Sequence, residues 1–432
     1  MKRRTFLQHS FAGSLAFSAL PLLGATQRKK PYKLAIIGSG WWGMNIVREA
    51  LAEGRSQVVA MCDVDANQLK KASEEVQSMT GDLPNVYEDY EELLQKEKPE
   101  IVIVATPDHW HALAGIAAIK AGADVYLEKP ISHTQQEGLA ILQNARKYGR
   151  VVQVGTHRRV SPHNVSAMEF LRSGKMGKIA SVKTFVHYGW GGDAKPKSDE
   201  SIPEGLNWDK WCGPAPYRPY NPAIHPKGFR YFLDYANGLI GDWGIHWFDQ
   251  VLWWTEERHP KTVFSTGGRF IKSDGTDCPD TQTAIFTFED FTMSWEHKMG
   301  VINANEKSQI GCYFYGTEGT LHLGWRDGWT FYPRKKSASP IHIDAKLNDP
   351  DEQNIKELWA NFMRCVDSRE RPVCDIEDGY LATNMSMLGM ISLKTGRSLS
   401  WDGEKAQIHN DPEASKLLRR PYRDGYTYPE IS

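Results

Sequence analysis

The feature that most constrains this chain is a glycine triplet, Gly38, Gly40 and Gly43, at the end of an apolar run, Leu34 to Ile37, and the start of a helical stretch. In that context GxGxxG has a mechanism: Gly38 allows a tight turn, Gly40 lets the backbone approach a pyrophosphate, and Gly43 lets helix and strand pack closely. The phosphate charge then meets the free N–H groups of a helix N-terminus. Trp41 and Trp42 fall in the same turn and count as candidate cofactor contacts. Asp63 lies 25 residues beyond Gly38, at the end of the next apolar run, where a carboxylate accepts hydrogen bonds from ribose hydroxyls. Its charge repels a 2′-phosphate and no arginine follows closely, so NAD is favoured over NADP.

Apolar runs alternate with helical patterns from Tyr32 onward. Strands are predicted at Leu34 to Ile37, Val58 to Cys62, Ile101 to Val104, Val125 to Leu127 and Val151 to Val154, and helices near 43–53, 66–78, 111–121 and 134–147. Continuous apolar strands separated by helices imply a parallel sheet covered on both faces, so residues 32–155 read as a doubly wound Rossmann domain. After Ser181 six alternating strands, Val182 to Tyr188, Val263 to Phe270, Gln282 to Phe288, Thr292 to His297, Gly311 to Tyr315 and Thr320 to Leu323, predict an α+β domain over 156–402 with an open, mostly antiparallel sheet. Helices near 351–367 and 376–392 are expected to brace the first domain, and 403–432 reads as a polar tail. The whole is therefore of the α/β class. Two or three domains fit 432 residues at about 150 per domain.

Lys2, Arg3 and Arg4, followed by Thr5, Phe6, Leu7 and then an apolar stretch from Phe11 to Leu23, fit a twin-arginine export signal over residues 1–25. The stretch is too short to span a bilayer, and no cysteine is placed for a lipid anchor, so a periplasmic protein handled by the twin-arginine machinery is expected. The 53 acidic and 52 basic residues nearly cancel, which argues against nucleic acid as a partner. Six cysteines show no metal-ligand spacing, so neither a structural metal nor an obligatory disulfide is expected.

Two further turns follow parallel strands, where open α/β sheets bind ligands: Thr106-Pro107-Asp108-His109-Trp110-His111 and Glu128-Lys129-Pro130. Together with the glycine triplet and Asp242-Trp243-Gly244-Ile245-His246, they make the chain resemble the Gfo/Idh/MocA oxidoreductases, the group of glucose-fructose oxidoreductase and inositol dehydrogenase. The likeness runs from about Lys33 to about Asp402. It implies hydride exchange between a nicotinamide and a sugar or cyclitol hydroxyl. By position Lys129 and His246 match the catalytic pair, Asp242 the supporting carboxylate, and Glu128 a contact to the nicotinamide ribose; Thr106, Pro107, His109, His111 and Lys129 join the cofactor set.

Chemistry alone assigns similar roles. Asp242 and His246, four apart, share a helix face. An imidazole takes a hydroxyl proton near neutral pH and an ammonium stabilises the alkoxide, although His246 and Lys129 could exchange these roles. Seven of the fifteen tryptophans, at 190, 208, 211, 243, 247, 253 and 254, cluster among polar residues. Indole faces stack on sugar C–H faces, but aromatic packing explains many of these residues, and 247, 253 and 254 fit helix packing. His157, Arg158, Arg218, Tyr220, Arg230, Tyr231, Asp242 and His246 are the candidate substrate contacts.

Export suggests a tightly held nicotinamide recycled in place by two substrates. Redox-neutral glycoside or lyase cleavage through transient oxidation is the alternative, and a non-enzymatic sugar-binding protein a second. The uncovered face of a six-stranded sheet implies a dimer or tetramer.

Overall fold

The computed structural model describes residues 30–188, 195–255, 257–301, 303, 305–306, 308–348 and 353–430. The expected export signal, residues 1–25, and Trp190 lie outside these residues. Among the described residues no helix is long and apolar enough to cross a membrane.

The first half runs β1 (Tyr32–Ile37), α1 (Trp41–Glu53), β2 (Ser56–Cys62), α2 (Ala66–Thr80), β3 (Asn85–Tyr87), α3 (Tyr90–Glu97), β4 (Ile101–Val104), α4 (His111–Lys120), β5 (Asp124–Leu127), α5 (Gln135–Lys147) and β6 (Val152–Val154). Its six strands are parallel in the order β3-β2-β1-β4-β5-β6, so the order reverses between β1 and β4. All four β4 residues are buried, which is why that strand reads as an unbroken apolar run. Helices start where the sequence supplies caps. Asp65 accepts from the backbone N–H groups of Asn67 and Gln68, Asp89 from those of Glu91 and Glu92, and Thr134 with Glu137 forms a capping box on α5. The expected strand list lacked β3 and the helix list α3; β3 is an edge strand of three residues without a buried side chain.

The second half contains α6 (Pro162–Arg172), β7 (Ile179–Tyr188), α7 (Trp208–Cys212), α8 (Ile245–Trp254), β8 (Thr262–Gly268), β9 (Thr281–Thr287), β10 (Thr292–Met299), β11 (Ile310–Gly316), β12 (Gly319–Gly324), β13 (Trp329–Pro333) and β14 (Ile341–Ile343). It continues with α9 (Ile355–Ser368), α10 (Ile376–Thr395), β15 (Leu399–Asp402), β16 (Gln407–His409) and α11 (Pro412–Lys416). The sheet has ten strands rather than the six expected, because short edge strands β13 to β16 extend both ends. Its pairings are antiparallel except β7 with β10. A boundary at 402/403 would cut the β15–β16 hairpin, and after Asn410 the chain folds back, with Arg420 reaching Glu137 and the His109 carbonyl of the first half.

The two C-terminal helices do different work. Trp359, Phe362 and Met363 of α9 fill the core on one face of the parallel sheet, with Leu34 and Ile36. Helix α10 is buried nearly all round because it meets two cores: Tyr380 and Leu381 pack with β5 and β6, while Met385 and Leu388 pack under the large sheet. Trp359 is fully buried. Trp359→Ala is expected to cost about 3–5 kcal/mol in urea unfolding, because the cavity opens inside the parallel-sheet core.

Candidate active site

The reversal between β1 and β4 places two loops across a crevice, where doubly wound sheets bind dinucleotides. Gly38 turns with φ +93°, and a Cβ there would lie 2.7 Å from the Ala105 carbonyl carbon. A Cβ on Gly43 would stand 2.4 Å from the Gly38 oxygen, so only glycine lets α1 approach this closely. Above Gly40 the space is open, and α1 has neither a side-chain cap nor an acidic residue in its first turn. Its amides are thus available to an anion. Thr106 Oγ1 is buried and has no protein hydrogen-bond partner, and the buried Trp42 indole N–H stands against the Glu128 carboxylate, a set of polar atoms that suits a nucleotide. Trp41 instead points outward, 57% exposed, under the Lys227 ammonium.

Asp63 does more than was expected of a ribose acceptor. It receives the Ser39 N–H at 2.8 Å, the Ser39 hydroxyl at 3.1 Å and the Asp65 N–H at 3.1 Å, holding the glycine loop in place. A carboxylate has about four acceptor positions, so capacity remains for a ribose hydroxyl.

His109 and His111, expected as cofactor contacts, are held by protein carbonyls. His109 is completely buried, its Nε2 lies 2.9 Å from the Trp211 carbonyl, and burial pushes its imidazole down to about 3. His111 clamps the two turns, with Nδ1 2.6 Å from the Pro130 oxygen and Nε2 2.8 Å from the Thr106 oxygen. Burial lowers it to about 4, so the neutral ring donates to one carbonyl at a time, and neither nitrogen is left for a ligand.

The turn after β5 carries Glu128, Lys129 and Pro130. Gly155 makes room for the Glu128 carboxylate: a Cβ there would be 2.3 Å from Oε1. Burial pushes this carboxyl up to about 6 against the pull of Lys129. The Lys129 ammonium donates to Asp242 Oδ1 and to the Asp242 carbonyl, both at 2.8 Å, and Arg230 Nε lies 3.4 Å from the same Oδ1. Asp242 sits in a π-type turn, Ile240–Gly244, that feeds α8, so it does not share a regular helix face with His246 as the spacing suggested. Burial alone would raise the Asp242 carboxyl, but Lys129 and Arg230 outweigh it and hold it at about 2.

His246 opens α8, buried against the His157 ring at 5.3 Å and Trp325 at 5.2 Å, with Trp243 at 5.9 Å. Burial, then the charges of Lys129 and Arg158, push its imidazole well below 6.5. The helix is anchored by Arg159, which donates to the fully buried Asp249 at 2.8 Å, and by Asn164 on Gln250 at 2.9 Å. Arg158 lies with its guanidinium 3.2 Å over Trp325, and Tyr231 flanks Asp242.

Lys129, Asp242, Arg230, Tyr231, His246, His157 and Arg158 therefore converge. Arg218 and Tyr220 do not join them: Arg218 pairs with Asp234 at 2.5 Å and Asp277 at 3.0 Å, and Tyr220 packs edge-on against Trp208 in a separate aromatic core. Two residues were not anticipated. Asp108, in the Thr106 turn, is buried facing the cluster; burial pushes it up to about 7, with Asp242 adding to the rise and Arg230 and Lys129 opposing it. Its position straight after Thr106-Pro107 was the available signal. Trp325 arrives from the β12–β13 turn, which no sequence pattern links to His246.

Residues 32–156 match the oxidoreductase family's NAD-binding Rossmann fold, and residues 176–428 its C-terminal alpha/beta domain. The chain belongs to this NAD-binding Gfo/Idh/MocA oxidoreductase family. It is 26% identical over 401 residues to the glycosyl hydrolase family 109 protein of Stenotrophomonas maltophilia (strain K279a), covering 86% of this chain and 81% of that protein. Inositol 2-dehydrogenase of Salmonella typhimurium is 29% identical over 176 residues, 40% of this chain and 51% of the enzyme. Levoglucosan dehydrogenase in complex with NADH shares the fold, with a TM-score of 0.66 and 17% identity over 85% of this chain and 98% of its own.

Gly155→Ala is expected to displace Glu128 and weaken NADH binding about tenfold, read by fluorescence titration, while costing about 1–3 kcal/mol of stability.

Proposed function

We propose that this protein is an NAD-dependent dehydrogenase acting on a secondary hydroxyl of a sugar, glycoside or cyclitol. The observation that carries this reading is the Lys129–Asp242 contact at 2.8 Å, with His246 beside it at the mouth of the dinucleotide crevice. Bound in that crevice, a nicotinamide supplies the hydride-accepting carbon. The chain's own part is proton and charge handling. His246, kept neutral by burial and by its cationic neighbours, takes the hydroxyl proton. Lys129, oriented by Asp242 and Arg230, donates a hydrogen bond to the developing alkoxide. The aromatic wall of His157, Trp243 and Trp325 bounds the space beside His246, and Asp108 offers a carboxyl for a neighbouring hydroxyl. Dehydrogenase names among the relatives, such as D-glucoside 3-dehydrogenase of Escherichia coli (strain K12), support this class of substrate.

The glycosyl hydrolase relative, matched along most of both chains, favours a second reading: the same groups serving transient oxidation and bond cleavage with no net NADH. A panel of sugars, glycosides and cyclitols separates the two. Reduced-nicotinamide absorbance that grows with turnover marks a dehydrogenase, and released sugar without it marks redox-neutral cleavage.

The order Lys2-Arg3-Arg4-Thr5-Phe6-Leu7 supports export in folded form with the nucleotide already held. Phe264 and Ile285, cross-strand neighbours 43% and 44% exposed on β8 and β9, support self-association through the large sheet.

Lys129→Ala and His246→Ala should each lower kcat/KM by about 10²–10⁴-fold in stopped assays of the responding substrate. Because His246 titrates well below 6.5, wild-type oxidation should stay level from about pH 6.5 to 8 and fall only on the acid side. In Lys129→Ala the loss of a positive neighbour raises the His246 pKa, so the residual activity's acid limb should move to higher pH; an unmoved limb would contradict His246 as base.

A further inference from the structure

Residues 205–230, between β7 and α8, touch the rim of the cofactor crevice at three places. At one end Asn207 N donates to Val64 O at 2.9 Å and Ala66 N to Gly205 O at 2.8 Å, beside Asp63. A groove of about 520 Å³ lies there, bounded by Asp63, Val64, Leu206, Asn207, Trp208 and Tyr217. Midway, the Trp211 carbonyl meets His109 Nε2 at 2.9 Å and Trp110 Nε1 at 3.1 Å. At the other end Lys227 covers Trp41, and Arg230 reaches Asp242.

This strap is fastened from outside by the C-terminus. Arg423 donates from Nε to Gly213 O at 3.1 Å and from Nη2 to Asp209 O at 2.9 Å, while its backbone N–H reaches Pro214 O at 3.1 Å. Three residues earlier, Arg420 donates to the buried Glu137 at 3.0 Å and to His109 O at 2.9 Å. Tyr422 donates to the same Glu137 oxygen at 2.6 Å, and the Tyr426 ring stands edge-on to Trp110 at 5.5 Å. One short stretch thus ties together the strap, the Thr106 turn and the helix that follows Lys129.

We propose that Arg420 and Arg423 are positioning residues that buckle the strap over the nucleotide, so that the C-terminal segment sets how fast the nucleotide leaves. This rests on the reading that NAD(H) fills the crevice. A guanidinium spanning two carbonyls is a directional tie, and its loss frees the strap without exposing a core. Asp209, the carboxylate partner of Arg423, is 68% exposed, so Arg423→Ala leaves no buried charge unpaired.

The test uses full-length protein loaded with NADH and chased with excess NAD, release being followed by fluorescence. Arg423→Ala should speed release about tenfold or more, Arg423→Lys should restore part of the loss, and the melting temperature should stay close to wild type. Arg420→Ala should act in the same direction. Arg397→Ala, which breaks the pairs with Asp411 and Glu413 at 2.8 Å elsewhere in the C-terminal segment, should leave release unchanged. Unchanged release in both Arg423→Ala and Arg420→Ala overturns the buckle and leaves the cofactor reading standing. Failure of the wild-type protein to bind NADH overturns both.

Discussion

The contact between Lys129 and Asp242 joins the two halves of the molecule at the point where chemistry is expected. Taking two charges largely out of water costs several kcal/mol for each ion, so such a pair persists only where its geometry is well satisfied. Here Asp242 receives Lys129 and Arg230, and the ammonium also reaches the Asp242 carbonyl. The wide turn before α8 turns both Asp242 groups toward the end of β5. The same positive charge acts on His246, where together with burial and Arg158 it disfavours the imidazolium.

Four titratable groups around this contact are driven apart by their surroundings. Asp242 is held at about 2, Glu128 and Asp108 are raised to about 6 and about 7, and His246 is kept neutral. Separation of this kind fits the proposed roles: an ionised carboxylate to orient and an imidazole free to accept. The rigidity behind it comes from α10, shared by both cores, and from the Arg159–Asp249 pair under α8.

Much of this was legible in the chain. Leu34 to Ile37 followed by Gly38, Gly40 and Gly43 announces the first strand, turn and helix because a parallel strand buried on both faces is apolar throughout and the close approach excludes a Cβ. The edge strands escaped because they lack that signature: β14 is exposed at all three residues, and β3 has no buried one. Site residues divided in the same way. Arg218 and Arg230 look alike in sequence, but Arg218 meets Asp234 and Asp277 whereas Arg230 meets Asp242. His109 and His246 both lie among tryptophans, and only the packing shows one ring tied to the Trp211 carbonyl and the other placed beside Lys129.

Local order therefore determined the parallel nucleotide-binding sheet, the glycine turn and the chemical character of Lys129, Asp242 and His246, because each depends on neighbours a few residues away. Tertiary structure alone decided which cations reach Asp242, that Asp108 and Trp325 face the same space, and that Arg420 and Arg423 return to fasten the strap. Those contacts join residues tens to hundreds of positions apart. Their geometry follows from how the two sheets pack around α10, which no short-range pattern encodes.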